Sequence, residues 1–473
     1  MSRIRILPVG GAGEIGASCF HVDFDGTGIV LDAGMHPRKK GIESLPNFDL
    51  MQDLPLDAVL ISHAHEDHIG SLPYLIQRFP YLRIVTTPQT RAIAELTLHN
   101  SVSILQEELA REEGYLSSTA SLIDAGKERH PLKPYTHDEI DLLIQSIEYR
   151  AYEEQFTVSG YENRNNADVN ASFWDAGHVL GSAGILLEHG RHTLFYTGDV
   201  RMRNQTLAHG AQIPRRHIDT LMLECTQGAT EPSSFLEWED EAQRFAQRAN
   251  EIIEQGGSIL IPVFALGKMQ EMLATIWQLM EQGTLAKTDI YTGGIARKIC
   301  TVYDRNRYVA PRMDKEFEFA DVEQLDFFEI EQTQEFFRRP SIILATSGMM
   351  VEGTMSFRFA QQWLSEKRSA IFTVGYMDPD TPGYRIANAQ QGNEISLTEF
   401  SERQKVRCAI EHFHFTAHSM RDGLISIVRR TTPDRVVLIH GDPEAIDWMG
   451  FALLKNFPET KVHAAEIGKA IEL

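Results

Sequence analysis

Cysteine is scarce in this sequence, and the few cysteines lie far apart. The chain of 473 residues holds four of them, Cys19, Cys225, Cys300 and Cys408. None belongs to a CxxC pair, so the sequence excludes a disulfide framework of the kind that stabilises small secreted domains. Thiols placed in this way are typical of a reducing compartment, and we expect a cytoplasmic protein.

Long apolar runs and an excess of positive charge are also absent. No stretch approaches the roughly 18 to 20 apolar residues of a membrane span, and the apolar segment at the start is too short for a signal peptide, so no membrane partner is expected. Lysine and arginine number 45 against 66 aspartates and glutamates, which gives a formal net charge of −21. Binding of a polyanion therefore needs a local positive field, which bound divalent metals can supply.

The chain is long enough for two domains, and its pattern changes along its length. Short strands punctuated by Gly and Asp come first, with a charged helical region at 89–150. From about 229 to 416 helices alternate with apolar strands, which is typical of parallel α/β units. We predict an α/β fold in which 1–228 and 417–473 form one domain and 229–416 form a second, inserted domain.

A glycine motif near the start suggests a cofactor site at first sight. The segment "GAGEIG" matches GxGxxG after a strand, and Asp32 lies near the offset of a ribose-binding acid. A dinucleotide site needs a helix that opens at those glycines. The following "ASCFHVDFDGTGIVLD" instead alternates around a DGTG turn, so the sequence predicts a β-hairpin and no dinucleotide site.

The segment "SHAHEDHIG" at 62–70 places three histidines and two carboxylates directly after an apolar run. Neutral imidazoles and carboxylates are ligands of zinc and similar divalent cations. In an extended backbone His63 and His65 point to the same side, whereas Asp67 and His68 lie where a helix begins and can converge on a second point. This density favours a metal site over a solvated histidine-rich loop, and one segment can serve two metals.

Further ligands are expected at the ends of later strands, where a rigid scaffold presents functional groups. His178 in "WDAGHVLGSAG", Asp199 in "LFYTGDVR" and His440 in "VVLIHGD" each end an apolar run. Taken singly, each is equally well explained as a turn aspartate or a surface histidine. Together with the 62–70 cluster they predict a complete ligand set. Asp32 also ends a strand, and we expect it to orient a ligand imidazole.

The order of these motifs resembles that of a known family. The motifs "HAHEDH", "DAGH", "TGD" and "LIHGD" are similar to the successive motifs of the metallo-β-lactamase superfamily. The segments "LMLECTQG", "GGSILIPVFALGKMQEML", "IILATSGMM" and "FTAHS" resemble its β-CASP nuclease branch, which includes the pre-mRNA 3′-end cleavage endonuclease and ribonuclease J. The likeness covers nearly the whole chain, so the sequence resembles the catalytic core of such enzymes without a further RNA-binding domain.

The resemblance implies a fold, a cofactor and a set of site residues. The implied fold is an αββα metallo-β-lactamase sandwich with an inserted β-CASP domain and the active site between the two. The implied cofactor is two Zn²⁺ per chain, with Mn²⁺ as an alternative. The implied ligands are His63, His65 and His178 for one metal, Asp67, His68 and His440 for the other, and Asp199 as the bridge. The implied catalytic residues are Asp67, His418 and Glu224, with His418 matching the proton-donating histidine of the family.

The ligand set also predicts a reaction. Two cations about 3.5 to 4 Å apart lower the pKa of water and hold a phosphodiester for in-line attack. The leaving alkoxide needs a proton, which His418 can supply if Glu224 accepts its other N–H. We therefore predict a zinc-dependent ribonuclease that cuts mainly single-stranded RNA, internally or from the 5′ end. Within the family, histidine at position 440 is typical of RNA-acting members, and valine of DNA cross-link repair members.

Several alternatives stay open from the sequence. The acidic charge is compatible with a metallo-hydrolase of a small ester, thioester or lactone. DNA is an alternative substrate, and a non-catalytic RNA-binding subunit is a third class. The oligomeric state is also open, a homodimer included.

The surroundings of the expected substrate groove differ from the family pattern. Glu224 is followed by Cys-Thr-Gln where Ser-Thr-Tyr is common, and Lys268 stands where arginine is usual. Backbone N–H groups at 346–350 and near Gly267 and Lys268 are candidates for phosphate binding, although tight packing explains such glycines equally well. The basic stretches 305–315 and 336–340 are candidate groove residues or solvated surface.

Overall fold

The computed structural model describes residues 4–118, 134–160, 167–231, 233, 235–399 and 401–473. The chain forms two compact units. The outer unit comprises Met1–Arg203, Ala211–Glu231 and His418–Leu473, and the inserted unit comprises Asn204–Gly210 and Pro232–Ala417. The segment 204–210 lies with the inserted unit, whereas the sequence-based boundaries assign it to the first domain.

The first part of the outer unit is rich in strands. Its strands are β1 (Ile4–Gly10), β2 (Cys19–Phe24), β3 (Thr27–Leu31), β4 (Ala58–Leu60), β5 (Arg83–Thr86), β6 (Ile147–Tyr149), β7 (Phe156–Val158), β8 (Val169–Asp175), β9 (Ala183–His189), β10 (His192–Tyr196) and β11 (Thr220–Glu224). Its helices are α1 (Glu66–Ile69), α2 (Leu72–Arg78), α3 (Pro88–Ser118) and α4 (His137–Ser146).

The inserted unit alternates helices with strands. Its elements are α5 (Trp238–Glu254), β12 (Ile259–Pro262), α6 (Lys268–Glu281), β13 (Asp289–Thr292), α7 (Ile295–Arg305), β14 (Gln324–Asp326), β15 (Ser341–Ala345), α8 (Met355–Trp363), β16 (Ala370–Thr373), α9 (Pro382–Ala387), β17 (Glu394–Ile395), β18 (Gln404–Lys405) and β19 (Ala409–His412). The chain then returns to the outer unit with α10 (Arg421–Thr431), β20 (Arg435–Ile439), α11 (Pro443–Asn456), β21 (Lys461–Ala464) and β22 (Ile471–Glu472).

The described residues of the outer unit contain two sheets of seven strands each. The first has the order β22-β1-β2-β3-β4-β5-β6 and the second the order β21-β20-β11-β10-β9-β8-β7. In the first sheet β3 to β6 run parallel, and in the second β10, β11, β20 and β21 run parallel. The carboxyl ends of parallel strands share one edge of a sheet, which is where functional groups of α/β folds collect.

The two sheets pack face to face around one apolar core. Phe20 and Ile29 from the first sheet meet Phe173 and Ile185 from the second in this core. The other face of the second sheet is covered by the apolar sides of α10 and α11. On the side of the first sheet α3 packs against α4 and β6. The outer unit therefore has the αββα layers that the resemblance implies.

The glycine motif leads into a hairpin, as its sequence predicts. Strands β2 and β3 are antiparallel, with Phe20 opposite Leu31 and Phe24 opposite Thr27. The Gly26 N–H donates to Asp23 Oδ1 at 2.7 Å and closes the turn. No helix begins within 11–18. The glycine motif therefore lacks the helix that a dinucleotide-binding motif needs.

The helical region predicted over 89–150 is only partly helical. Helix α3 covers its start, and the residues 119–133 lie outside the described part of the chain. Helix α4 begins with a capping box, in which Thr136 and Glu139 each bond the backbone N–H of the other. The predicted helix is wrong at its end, because Ile147–Tyr149 forms β6. Pairing with β5, from Ile84 opposite Ile147, overrides the helical pattern there.

The inserted unit contains a parallel sheet, as the alternation of helices and strands predicts. The sheet has the order β14-β13-β15-β12-β16-β19, and every neighbouring pair in it is parallel. Its core includes Ile343 and Ile371 from the strands and Phe359 and Trp363 from α8. None of the helices in the described ranges combines the length and apolar character needed to cross a bilayer.

Candidate metal centre

The predicted site residues lie in the outer unit, at strand ends, at the short helix α1 or just before α10. His63 follows β4, His178 follows β8, Asp199 follows β10, Glu224 ends β11 and His440 follows β20. Strands β8, β10, β11 and β20 end at the same edge of the second sheet, because β10, β11 and β20 are parallel and β8 and β10 are each antiparallel to β9. His63, which follows β4 of the first sheet, lies 3.7 Å from Asp199 at this edge. The topology therefore brings together side chains that are up to several hundred residues apart in sequence.

Backbone contacts hold the short helix α1 and its acidic and histidine side chains in place. The Ala33 N–H donates to the His68 carbonyl at 2.8 Å, and the Ser18 N–H donates to the Asp67 carbonyl at 3.0 Å. A Cβ atom on Gly34 would lie 1.7 Å from the Asp67 carbonyl oxygen. Only glycine allows the chain to approach α1 this closely, so Gly34 fixes the position of the histidine-rich segment.

Four side chains form a first ligand group. Its members are His63, His65, His178 and Asp199. The Nδ1 of His65 lies 3.0 Å from His63 Nε2 and 3.1 Å from His178 Nε2. Asp199 Oδ2 lies 3.7 Å from His63 Nε2 and 3.6 Å from His178 Nε2. The four ligand atoms thus surround one point.

Three side chains form a second ligand group, and Asp199 faces it as well. The members are Asp67, His68 and His440. Asp67 Oδ2 lies 3.3 Å from His440 Nε2 and 3.9 Å from His68 Nε2. Asp199 Oδ1 lies 3.2 Å from His68 Nε2 and 3.4 Å from His440 Nδ1. Asp199 therefore presents one oxygen to each group.

The first ligand group fits a tetrahedral zinc ion. Four atoms about 2.0 to 2.1 Å from a tetrahedral centre lie roughly 3.3 to 3.4 Å apart, and the observed separations run from 3.0 to 3.7 Å. The donor set of imidazole nitrogens and one carboxylate oxygen suits zinc. Asp199 Oδ1, which faces the second ligand group, is buried and accepts no hydrogen bond of good geometry among the described residues, although His68 Nε2 and His440 Nδ1 lie 3.2 and 3.4 Å away. This is the state expected of an atom that serves a cation.

The side chains of the two groups shift one another's pKa values. Burial opposes protonation of His68, but the carboxylates of Asp199, Asp67 and Asp32 outweigh it and raise the His68 pKa well above its ordinary value. Burial also disfavours ionised Asp199, yet His68 and His440 hold its pKa well below its ordinary value. Burial and the neighbouring His68 lower the pKa of His63. Such a set of carboxylates and crowded imidazoles favours a bound positive charge.

Asp32 orients His68 from behind. Its Oδ2 lies 2.7 Å from His68 Nδ1 and accepts the hydroxyls of Tyr196 at 2.6 Å and Ser62 at 2.7 Å, while its Oδ1 accepts the Ser62 N–H at 2.6 Å. The contact with Nδ1 leaves Nε2 of His68 directed toward Asp199. A carboxylate behind a ligand imidazole is the arrangement that fixes the ring and its tautomer in metal sites.

Asp32→Asn is expected to weaken zinc binding by about 10- to 100-fold, because the carboxylate behind His68 is lost. Asp32 has a φ of 60°, which asparagine tolerates, so the substitution removes the negative charge and one of the two acceptor oxygens at an allowed backbone conformation. Competition with a chromogenic chelator measures the affinity. Asp25→Asn, at φ 49° in the hairpin turn, is the matched control. Equal zinc affinity in the Asp32 and Asp25 variants would contradict the role given to Asp32.

His418 and Glu224 lie beside the ligand groups. His418 Nδ1 lies 3.1 Å from Glu224 Oε1, and His418 Nε2 lies 3.9 Å from Asp199 Oδ2. Glu224 is fully buried, whereas 20% of the His418 side chain is exposed. Burial disfavours the charged imidazole, but Glu224 and Asp199 outweigh it and raise the pKa of His418 above its ordinary value. This geometry suits an imidazole that carries a proton next to the metal centre.

Several supporting residues escape a reading of the sequence. Thr226 Oγ1 lies 3.1 Å from His440 Nδ1, and the hydroxyls of Tyr196 and Ser62 donate to Asp32. Single Thr, Tyr and Ser residues carry no local pattern that marks them as partners of a ligand. Tyr196 ends the strand that precedes Asp199, and Thr226 lies two residues after Glu224, where it matches the threonine of the family pattern. These two signals mark the positions but not the contacts.

Part of the predicted phosphate-binding backbone is occupied within the chain. The Gly267 N–H donates to Gln270 Oε1 at 2.7 Å, and the Lys268 N–H donates to the Leu266 carbonyl at 3.1 Å. The Lys268 ammonium donates to the Phe415 carbonyl. At Gly267 and Lys268 the packing alternative is therefore favoured over phosphate binding, because the start of α6 caps itself.

The basic stretches are partly neutralised. Arg307 lies 2.5 Å from Glu318, and Arg339 lies 3.0 Å from Asp289. A guanidinium paired with a carboxylate offers less positive field to a polyanion.

Comparison with known families gives matches in three parts of the chain. Residues 12–144 match the metallo-beta-lactamase superfamily, residues 269–386 match the Beta-Casp domain, and residues 403–465 match the Zn-dependent metallo-hydrolase RNA specificity domain. The order and the placement agree with the two-sheet outer unit and the inserted unit. The chain belongs to the β-CASP branch of the metallo-β-lactamase superfamily. The predicted family and fold class are thereby confirmed.

Curated relatives of this β-CASP chain are RNA-processing proteins by name. Cleavage and polyadenylation specificity factor 73 of Drosophila melanogaster is 28% identical over 96% of this chain and 62% of its own length. Endoribonuclease YSH1 of Candida glabrata is 27% identical over 97% of this chain and 58% of its own length. Integrator complex subunit 11 of Danio rerio is 28% identical over 97% of this chain and 72% of its own length. The β-CASP chain therefore spans about three fifths of the fly and yeast proteins.

A solved structure shares the fold of the β-CASP chain. The crystal structure of a protein of unknown function from Enterococcus faecalis aligns with a TM-score of 0.56 and 14% sequence identity, and the alignment covers 100% of both chains. At this identity the likeness supports the fold alone.

Proposed function

We propose that this β-CASP chain is a zinc-dependent endoribonuclease that hydrolyses phosphodiester bonds of single-stranded RNA. The observation that carries the proposal is the pair of ligand groups joined by Asp199, with the His418 imidazole 3.9 Å from the same carboxylate. Phosphodiester hydrolysis by two metals needs a carboxylate that can bridge them and a proton donor for the leaving group, and Asp199 and His418 suit these two roles.

The proposed metal ligands are the members of the two groups. His63, His65 and His178 hold one Zn²⁺, Asp67, His68 and His440 hold the other, and Asp199 contributes an oxygen to each. When bound, the metals activate water and neutralise the phosphodiester. Mn²⁺ is the alternative occupant, since carboxylates accept it as well.

His418 acts as the general acid in this proposal. Glu224 accepts from its Nδ1 and is itself fixed by the N–H groups of Val200 at 3.2 Å and Thr226 at 2.8 Å. The imidazole can then present a proton on Nε2 to the leaving alkoxide. Proton transfer by a positioned side chain accelerates such reactions by roughly 10²- to 10⁴-fold.

Asp67 has a second task in the proposal besides holding a metal. Its side chain is 23% exposed, whereas the other two members of the second ligand group are buried. One carboxylate oxygen faces His440, so the partly open carboxylate can also accept a hydrogen bond from the attacking water. This contact orients the water toward the phosphorus atom.

The relatives support RNA as the substrate and internal cutting as the mode. One of them carries the name endoribonuclease, and others are named for cleavage and polyadenylation or for the Integrator complex. The match of residues 403–465 to an RNA specificity domain points the same way. We extend this to assembly with other RNA-processing subunits as the setting of the activity.

Cleavage of end-labelled single-stranded RNA, beside DNA of the same sequence, tests the proposed function. The zinc-loaded protein is expected to cut the RNA into internal fragments, and His65→Ala is expected to remove this activity. His189→Ala is the matched control, because His189 is half-buried in an ion pair with Asp25 outside both ligand groups. Cleavage of DNA alone would reassign the substrate. Hydrolysis of small esters or thioesters without cleavage of either polymer would replace the proposal with a small-molecule hydrolase.

A further inference from the structure

Thr226 contacts both the second ligand group, through His440, and the His418–Glu224 pair, through Glu224. Its Oγ1 lies 3.1 Å from His440 Nδ1, and its backbone N–H donates to Glu224 Oε2 at 2.8 Å. We infer that Thr226 is a positioning residue whose hydroxyl sets the tautomer and orientation of His440, and whose backbone fixes the partner of His418. The inference rests on the proposed two-metal function and deepens it.

The hydroxyl selects one tautomer of His440. His440 Nε2 faces Asp67 Oδ2 at 3.3 Å, within the second ligand group. For Nε2 to offer its lone pair to a cation, Nδ1 must carry the hydrogen. The Thr226 oxygen at 3.1 Å is nearer to Nδ1 than Asp199 Oδ1 at 3.4 Å and can accept it. The same hydroxyl can donate to the His440 carbonyl, 3.5 Å away. Thr226 therefore contacts the ring and the backbone of the ligand together.

The backbone of His440 needs such support. Its φ of 45° lies in the left-handed region, which is unfavourable for a residue with a side chain. The Cys225 N–H donates to the His440 carbonyl at 3.0 Å, and the His440 N–H donates to the Gly11 carbonyl at 2.9 Å. Contacts from 225–226 thus hold His440 in a conformation that aims its ring at the second ligand group.

The backbone of Thr226 contacts Glu224, the partner of the proposed general acid His418. Glu224 Oε2 accepts the Thr226 N–H, while Glu224 Oε1 accepts the Val200 N–H and faces His418 Nδ1. Val200 directly follows Asp199. Glu224 is therefore fixed between the residue after the bridging carboxylate and the residue that contacts His440. Thr226 therefore contacts both the partner of His418 and a member of the second ligand group.

Substitution of Thr226 by valine separates the hydroxyl contact with His440 from the backbone contact with Glu224. Valine keeps the size and the backbone N–H and removes only the hydroxyl, so contact with His440 is lost while contact with Glu224 stays. Serine keeps the hydroxyl and removes the methyl group. Thr431→Val is the control for loss of a threonine hydroxyl elsewhere in the outer unit. Thr431 is buried, whereas Thr226 is half-buried, and the Thr431 hydroxyl donates to the Ile427 carbonyl within α10.

Titration of Zn²⁺ into the metal-free full chain, measured by calorimetry and by chelator competition, tests the inference without RNA. Wild type is expected to bind two equivalents, and His440→Ala identifies which of them belongs to the second ligand group. In Thr226→Val that equivalent is expected to bind about 10- to 100-fold more weakly, with the other equivalent unchanged. Thr226→Ser and Thr431→Val are expected to stay within a few-fold of wild type.

Three results would overturn the inference. They are wild-type zinc affinity in Thr226→Val, an equal loss in Thr226→Ser, and an equal loss in Thr431→Val. The melting temperature of each variant shows whether a loss of zinc affinity reflects unfolding. If Thr226→Val is unfolded, the zinc affinity of Thr226→Ser tests the role of the hydroxyl. Failure of the proposed function has a different signature, namely two zinc ions bound with wild-type affinity and no cleavage of RNA. A wild-type chain that binds fewer than two zinc ions would overturn both.

Discussion

Asp199→Asn is expected to reduce RNA cleavage by on the order of 10³-fold or more. Asp199 presents Oδ2 to the first ligand group and Oδ1 to the second, at 3.2 to 3.7 Å from four histidine nitrogens. Asparagine has the same shape but lacks the negative charge and one of the two acceptor oxygens. Loss of about 4 kcal/mol of metal-dependent charge stabilisation corresponds to about a thousandfold in rate.

Two measurements separate this explanation from general damage. Zinc content by mass spectrometry is expected to fall together with the cleavage rate in the Asp199 variant. Asp57→Asn is the matched control, because Asp57 is a buried aspartate that accepts the Gly28 N–H at 2.9 Å at the start of β4. An Asp199→Asn variant that retains two zinc ions and wild-type cleavage would contradict the bridging role.

His418→Ala is expected to lower the rate constant for RNA cleavage by about 10²- to 10⁴-fold and to leave zinc binding intact. His418 lies outside both ligand groups, and its Nε2 is 3.9 Å from Asp199 Oδ2. Its proposed contribution is a proton for the leaving alkoxide, so the loss should appear in kcat more than in KM. Single-turnover cleavage of RNA at saturating protein measures it directly.

The partner of His418 provides a second check on that assignment. Glu224→Gln keeps a side chain that accepts from His418 Nδ1 but removes the charge that favours the imidazolium. It is expected to give a smaller loss than His418→Ala, also without loss of zinc. An RNA whose leaving group needs no proton, such as one with a phosphorothiolate at the scissile bond, should be cut equally well by wild type and by His418→Ala. An unchanged deficit with that substrate would argue against general acid catalysis.

The sequence predicts the fold where local patterns agree with the tertiary structure. The alternation around Asp25 and Gly26 predicts the hairpin of β2 and β3, and the spacing of helices and strands after 229 predicts the parallel sheet of the inserted unit. Ile147–Tyr149 goes against its local pattern, because it follows a well-capped helix and yet pairs with β5. Edge strands of a few residues gain their stability from the neighbouring strand, which is distant in sequence.

The sequence allows the prediction that the site residues cluster in the fold, and the reason is physical. Imidazoles and carboxylates at the ends of apolar runs stand out, since such groups are costly near a core unless they have a task. The roles of His63 and the other ligands remain predictions, but the structure brings all nine proposed residues to one edge. Thr226 and Tyr196 could not be predicted in this way, because their task depends on strands that meet only in the folded chain.

Charge explains why the substrate groove is the least predictable part. The net charge is −21, and Arg307 and Arg339 of the two basic stretches are paired with carboxylates. Whether a guanidinium is free depends on neighbours that the sequence alone does not give. In the proposed mechanism the positive field at the scissile phosphate comes from the bound metals.

Incubation of a circular single-stranded RNA with the zinc-loaded protein tests the central claim most directly, because a circle can be opened only by internal cutting. The proposed function predicts a linear product of full length that then shortens, and no product from His65→Ala or from protein treated with chelator. A circle that stays intact while zinc is bound at both ligand groups would contradict the assignment as an endoribonuclease.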